Sequence, residues 1–167
     1  FGVDPNRLIF VPFDPEIGSE ATLDMVQSII ESDSVDLVAI NSLKALIPLK
    51  ENEASLTETQ VALAARQNAK MSRKFTALVA KHNVAFIMVG HLSTDIGSMS
   101  RDPLIISGGS AIQYWSSLTL DMRKRALGPG DPIDKEEGLK IHVSVKKNHT
   151  ISNRNPYVQV DYYAIFG

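Results

Sequence analysis

The residues best suited to chemistry stand at the ends of two apolar runs. Val35-Asp36-Leu37-Val38-Ala39-Ile40 stops abruptly at Asn41-Ser42, and Val84-Ala85-Phe86-Ile87-Met88-Val89-Gly90 stops at His91. Short apolar runs rich in β-branched residues read as strands buried on both faces of a parallel sheet. Ligands bind at the carboxyl ends of such strands in open α/β sheets, so Asn41, Ser42 and His91 fall on the expected chemical edge. An asparagine there raises the question of whether an amide can do what a carboxylate usually does. Gly108-Gly109-Ser110 opens a short apolar helical piece, Ala111 to Trp115. Backbone N–H groups at a Gly-rich helix start suit an anion, although a glycine pair also serves as a plain turn. Arg66, Lys70, Arg73, Lys74 and Lys81 share one helical face, a stripe that by spacing alone reads as solvated surface. Lys146 and Lys147 read in the same way as an exposed strand end.

The elements that must position these residues follow from periodicity. Leu8-Ile9-Phe10-Val11-Pro12 reads as a short strand that Pro12 ends. Turn residues 14–19 lead to a helix over Glu20–Glu31, with Ser19 as its N-cap and Leu23, Val26, Ile29 and Ile30 on its inner face. With the Val35–Ser42 strand this makes a β-α-β unit. Pro48 breaks the segment that follows. Ser55-Leu56-Thr57-Glu58 fits a capping box for a helix reaching about Lys81, with Val61, Ala64, Ala65, Met71, Phe75, Leu78 and Val79 on the inner side. Leu92 to Gly109 lacks periodicity and is rich in Ser, Gly and Asp, which marks a functional or disordered loop. Ser117–Arg123 and Lys140–Lys146 alternate as half-buried strands, Arg125–Gly138 is a Pro/Gly/Asp loop, and Tyr157–Phe166 forms a last strand. Their short spacing predicts antiparallel neighbours added to the parallel part.

A chain of 167 residues fits a single domain with a substantial core. Its 44% hydrophobic and 22% charged content argues against disorder and membrane spans. No apolar run approaches the roughly 20 residues that cross a bilayer, and no signal-peptide pattern opens the chain. With no cysteine there are neither disulfides nor thiolate metal sites, which fits an intracellular protein. A net charge of −2 gives no global pull toward nucleic acid, so contacts of that kind must come from local basic patches. The start at Phe1, without methionine and close to a strand, reads as a fragment or a trimmed chain.

The order of residues is more specific than any one motif. Gly2-Val3-Asp4, Val35-Asp36 through Asn41-Ser42, Leu63-Ala64-Ala65-Arg66, Gly108-Gly109-Ser110-Ala111 and Lys147-Asn148 resemble, in sequence and spacing, the bacterial and phage RecA-like recombinase core. The resemblance implies a RecA-like P-loop NTPase core of the α/β class, a parallel sheet extended by antiparallel strands, with its N-terminal part missing. No G-x-x-x-x-G-K-[ST] occurs in these residues, and the family's catalytic glutamate would lie upstream of Phe1. The chain alone is therefore expected to bind ATP poorly and to be inactive, while the complete protein would be a DNA-dependent ATPase.

The resemblance also implies roles for individual residues. Asn41 stands at the second acidic position of nucleotide hydrolysis, where it would hold Mg2+ and its water only weakly, since an amide brings no charge. Ser42 follows it at the nucleotide. His91 replaces the glutamine that senses the γ-phosphate. Leu92–Gly109 and about Pro48–Thr59 correspond to the two DNA-binding loops, which are expected to be mobile without DNA. Gly108, Gly109 and Ser110 suit phosphate contact, and Arg66 and Arg73 match arginines near the DNA axis, which lifts their stripe above plain surface. Ser93 and Asp95 replace basic residues, with Arg101 a partial compensation. Lys147 and His149 match two cations that reach a neighbour's ATP, Tyr114 an aromatic at the subunit interface, and Phe166-Gly167 the segment near the adenine.

The function implied is ATP-dependent filament formation on single-stranded DNA, with homologous pairing and strand exchange in recombination and repair. ATP and Mg2+ are the cofactors of the complete protein. Its partners are single-stranded DNA, homologous duplex DNA and further copies of itself, with no membrane involved, in the cytoplasm of a bacterial or phage-infected cell. The alternative is a catalytically impaired RecA-like accessory protein. A ring-forming helicase or clock-type ATPase of the wider superfamily is a third reading, against which the Gly-Gly-Ser after a long loop argues.

Overall fold

In the computed structural model, which describes residues 3–55, 63–94, 104–106, 109–135, 137–150 and 158–165, the first long element is a helix, α1 (Gly18–Glu31). Leu23, Val26 and Ile30 recur at helical spacing, and Leu23 and Ile30 are buried. Ser19 does not cap this helix, as its residue type suggests. It lies within the first turn, fully buried, where its hydroxyl donates to Gln67 Oε1 at 2.8 Å and its N–H to the Ile47 carbonyl at 3.0 Å. The packing of the helix start against a later helix has drawn the serine inward, and Ile17 occupies the cap position without a side-chain bond.

Two strands, β1 (Leu37–Asn41) and β2 (Ala85–Val89), pair in parallel, from Leu37 opposite Ala85 to Asn41 opposite Val89. Between them come a turn at Leu43–Ala45, the short α2 (Leu49–Glu53) and the long α3 (Leu63–His82). Glu20 on α1 accepts from the Leu49 N–H at 3.0 Å, satisfying one of the orphan donors at the start of α2. The end of α3 is set by Asn83, which takes the left-handed conformation (φ 54°) while the Val84 N–H returns to the Val79 carbonyl at 3.0 Å. That bond is the longer of the two in a Schellman turn. His82 Nδ1 meets Asp33 Oδ1 at 2.6 Å, tying this helix end to the turn after α1. The capping-box residues 56–58, and Val61, lie outside the described residues.

Leu23, Ile30, Leu43, Met71, Phe75 and Val84 form the centre of the core, with Val38, Ile40, Phe86 and Met88 half-buried against it. The expectation that β1 and β2 are buried on both faces is therefore corrected. One face packs on the helices, whereas Leu37 is 53% and Ile87 49% exposed. Apolar residues on both faces made the run look doubly covered, but alternation in burial is what the structure shows. Leu8–Pro12 is likewise not a strand. Asp4 caps a single turn at Pro5–Arg7, and the apolar residues beyond it find no ladder partner among the described residues, leaving Phe10 79% exposed. The β-α-β unit thus lacks its first paired strand here.

Leu92–Gly109 contains regular structure where none was expected. β3 (Leu92–Thr94) and β4 (Leu104–Ile106) pair antiparallel, and α4 (Ala111–Trp115) follows as anticipated. Three-residue strands are too short to leave a period in the sequence, and residues 95–103 lie outside the described residues.

The chain divides into two units, residues 1–115 and 116–167. The second contains β5 (Leu118–Arg125), β6 (Gly138–Asn148) and β7 (Gln159–Ile165), paired antiparallel in that order. The class is mixed α/β, with parallel and antiparallel pairing in separate ladders among the described residues. Among those residues no helix is long and apolar enough to cross a membrane.

Candidate functional site

Parallel register brings the first two candidates to one edge. Asn41 pairs with Val89, so Asn41-Ser42 and Gly90-His91 emerge from the same end of the two-stranded ladder. Asn41 and His91 are exposed, and Ser42 is half-buried. The Asn41–Ser42 peptide bond is cis. Leu43, immediately after, is buried in the core and anchors the edge from below. The site offers hydrogen-bonding groups but little charge. Among the described residues no group of three or more His, Asp or Glu could hold a metal ion, and Asn41 contributes only a neutral amide oxygen. These residues by themselves do not fit a magnesium cage; an amide at this edge suits a bound water or a phosphate-linked water.

Gly90 explains how this edge meets the hairpin. A Cβ built there would stand 3.2 Å from Ile106 Cγ2 and 3.8 Å from Leu43 Cδ1. Ile106 of β4 thus packs against the end of β2, close enough that a side chain at Gly90 would have to push it aside by a few tenths of an ångström. His91 passes into β3 after no intervening residue, so a displacement of His91 is also a displacement of the hairpin stem.

The second group lies on α3 and α4. Gly109 has φ +99°, and a Cβ on it would reach within 3.2 Å of Ala65 Cβ. The start of α4 is thus seated against the small residues of α3, with Ile112 buried beneath. Ser110 is exposed, and its carbonyl accepts from the Tyr114 N–H at 3.1 Å. Arg66 and Arg73 are exposed on α3 and, seven residues apart, project from one side of it. Lys74, on the same stripe, stands 3.8 Å from Asp24 of α1. Tyr114 is 75% exposed and meets Trp115 edge-on at 5.5 Å, so core packing does not account for it. Arg101, Gly108, Phe166 and Gly167 lie outside the described residues, as does Asp95.

In the second unit, Lys147 lies opposite Thr119 at the end of β6, and the exposed His149 donates its N–H to the Ser117 carbonyl at 2.8 Å. This unit also holds a polar cluster that no sequence motif marks. Lys140 Nζ lies 2.9 Å from Asp131 and 3.1 Å from Asp161, His142 Nδ1 lies 2.7 Å from Asp161, and the Tyr163 hydroxyl donates to Asp131 at 2.7 Å. Lys140, His142, Asp161 and Tyr163 alternate on neighbouring strands, so the signal was present, but it needed the β6–β7 register to be read.

The Gly128 N–H, then Lys140 and Tyr163, hold the Asp131 carboxyl down from 3.8 to about 2, while Lys140 is pushed up by its two carboxylates. A carboxyl lowered on folding contributes stability that is present above its unfolded pKa and is lost as pH falls through the folded one. Thermal unfolding measured against pH is therefore expected to show a loss between about pH 4 and 2. Asp131→Asn should remove much of that dependence. An unchanged pH profile in the variant would count against the cluster.

A family model described as the RecA N-terminal domain matches residues 1–167. Protein RecA of Mycoplasma mycoides subsp. mycoides SC is 34% identical over 151 residues, covering 89% of this chain and 42% of the relative. Protein RecA of Borrelia duttonii is 33% identical over 166 residues, 99% of this chain and 44% of the relative. Protein RecA of Thermus aquaticus is 34% identical over 150 residues, with shares of 88% and 42%. The chain thus spans less than half the length of these curated relatives.

Proposed function

Because the chain belongs to the RecA family, we propose that the full-length protein is a recombinase that assembles on single-stranded DNA with ATP and pairs it with homologous duplex. On this reading the chain is part of a RecA-like NTPase core whose nucleotide lies at the Asn41–His91 edge, between successive copies in a filament. The observation that carries it is the continuity of that edge with the hairpin: His91 leads straight into β3, and Ile106 of β4 packs on Gly90 beside Leu43. A γ-phosphate bonded to His91 would bias the hairpin stem, and through it the DNA-binding loop.

ATP with Mg2+ supplies in-line phosphoryl transfer to water. Within these residues, Asn41 and Ser42 would orient water by hydrogen bonds, His91 would donate to the terminal phosphate, and Lys147 and His149 would neutralise charge on a neighbour's nucleotide. Phe166 and Gly167 would border the adenine, and Tyr114 would pack against the adjacent copy. Without a phosphate-binding motif the 167 residues on their own should bind ATP poorly, so the measurements below use the full-length protein. Arg66, Arg73, Arg101 and the Gly108-Gly109-Ser110 turn would hold DNA phosphates, and the cytoplasm is the compartment such work requires.

Arg66→Ala and Arg73→Ala test the DNA side. Each should weaken single-stranded DNA binding about equally for all sequences and flatten the salt dependence by about one phosphate contact. Unchanged salt slopes would return the stripe to plain surface. One observation favours a second reading, an accessory filament protein with impaired hydrolysis: the neutral amide of Asn41 where an acid is expected. DNA binding without turnover in the full-length protein would select it.

A further inference from the structure

We infer that a β-bulge in β6 and the side chain of Asn148 act together to aim the cations at the end of that strand, with Asn148 as a positioning residue. The inference rests on the reading of Lys147 and His149 as contacts to a neighbour's nucleotide. Along β6, Lys140, His142 and Ser144 share the face of Asp161 and Tyr163, and Ile141, Val143 and Val145 lie on the other. Unbroken alternation would put Lys147 on the apolar face with Val145. The register prevents this. Leu120 pairs with Val145 but Thr119 pairs with Lys147, which leaves Lys146 as an extra residue.

An extra residue reverses the phase of everything beyond it. Thr119 alternates with Leu120 and so shares the face of Asp121 and Arg123, and Lys147 opposite Thr119 joins that face. Lys146 lies there too, its Nζ 3.6 Å from Asp121 Oδ2. The bulge thus gathers two lysines on the polar side of a strand that alternation would have split between the faces.

Asn148 then fixes the backbone beyond the bulge. Its Oδ1 accepts from the Thr150 N–H at 3.0 Å and from the Thr150 hydroxyl at 2.7 Å, closing an Asx turn. Between these anchor points the His149 N–H extends the β5–β6 ladder by bonding to Ser117. The chain from Lys147 to Thr150 is therefore held at each residue. Fixed geometry is what a charge-stabilising cation requires, since a displacement of about 1 Å can cost about a hundredfold in rate.

The test measures single-stranded-DNA-stimulated ATP turnover of the full-length protein, with thermal unfolding in parallel. Lys147→Ala should lower kcat by about a hundredfold. Asn148→Ala should lower kcat by about tenfold with KM for ATP and the melting temperature little changed. Asn148→Ser, whose hydroxyl can still accept from the Thr150 N–H, should recover most of the loss. Wild-type turnover in Lys147→Ala would overturn the reading of the lysine and the inference with it. Slow turnover in Lys147→Ala with full turnover in Asn148→Ala would overturn the positioning role alone. Early melting of Asn148→Ala with no recovery in Asn148→Ser would reduce Asn148 to a structural residue and overturn it equally.

Discussion

Replacing Phe75 by alanine is expected to cost the first unit about 3–5 kcal/mol. Phe75 is 4% exposed on the inner face of α3, and its ring lies 5.2 Å from that of Phe86, tilted by 49°. The substitution removes the transfer free energy of a whole aromatic side chain and leaves a cavity. It also removes a tilted aromatic pair that contributes about 0.5–1.5 kcal/mol beyond its buried area. Collapse into the space is limited because β2, which carries Phe86, is held in register by β1 along its whole length. The loss is measurable by denaturant titration followed through Trp115, the single tryptophan, on α4. A loss of only about 0.5 kcal/mol, typical of surface positions, would mean that α3 does not pack on β2 as described.

Gly109→Val is expected to be the most damaging change near the proposed DNA contacts. A φ of +99° is strained for any L side chain and worst for a β-branched one, at a cost of about 1–3 kcal/mol. The new side chain would also drive into Ala65, whose Cβ lies 3.2 Å from the position of the added one. Both effects displace the start of α4, and with it Ser110 and Tyr114. The full-length protein should lose single-stranded DNA affinity while α3 still carries Arg66 and Arg73. Gly109→Ala separates the causes. Combined with Ala65→Gly it should recover the contact part of the loss but not the backbone part, after allowing about 1 kcal/mol for a glycine inside a helix. Full recovery in the double variant would show that the left-handed backbone costs nothing.

Much of the first unit was legible in the sequence because its signals are local. The period of Leu23, Val26 and Ile30 fixed the face of α1, and that of Met71, Phe75, Leu78 and Val79 the face of α3. The apolar runs ending at Asn41 and His91 gave β1 and β2 to within a residue or two. What was misread depends on partners distant in the chain. Ser19 has the type of an N-cap, but Gln67 and Ile47 recruit it into the interior. Leu8–Val11 has strand composition, yet composition cannot supply a neighbouring edge.

Of the candidate site, residue types were readable and the geometry was not. That Gly90 admits Ile106, or that Gly109 sits on Ala65, is a statement about close approach, which leaves no period. The bulge at Lys146 is invisible for a similar reason: it appears only when β5 and β6 are set against each other. The cluster of Asp131, Lys140, Asp161 and Tyr163 needs the β6–β7 register in turn.

The proposed recombinase activity stands or falls on ATP hydrolysis by the full-length protein, measured with and without single-stranded DNA. Magnesium-dependent turnover that is low without DNA and rises strongly when single-stranded DNA is added is expected on the proposal that His91 and the β3–β4 pair link a nucleotide edge to a DNA-binding loop. Turnover that ignores DNA, or none at all from a protein with an intact phosphate-binding loop, would contradict it.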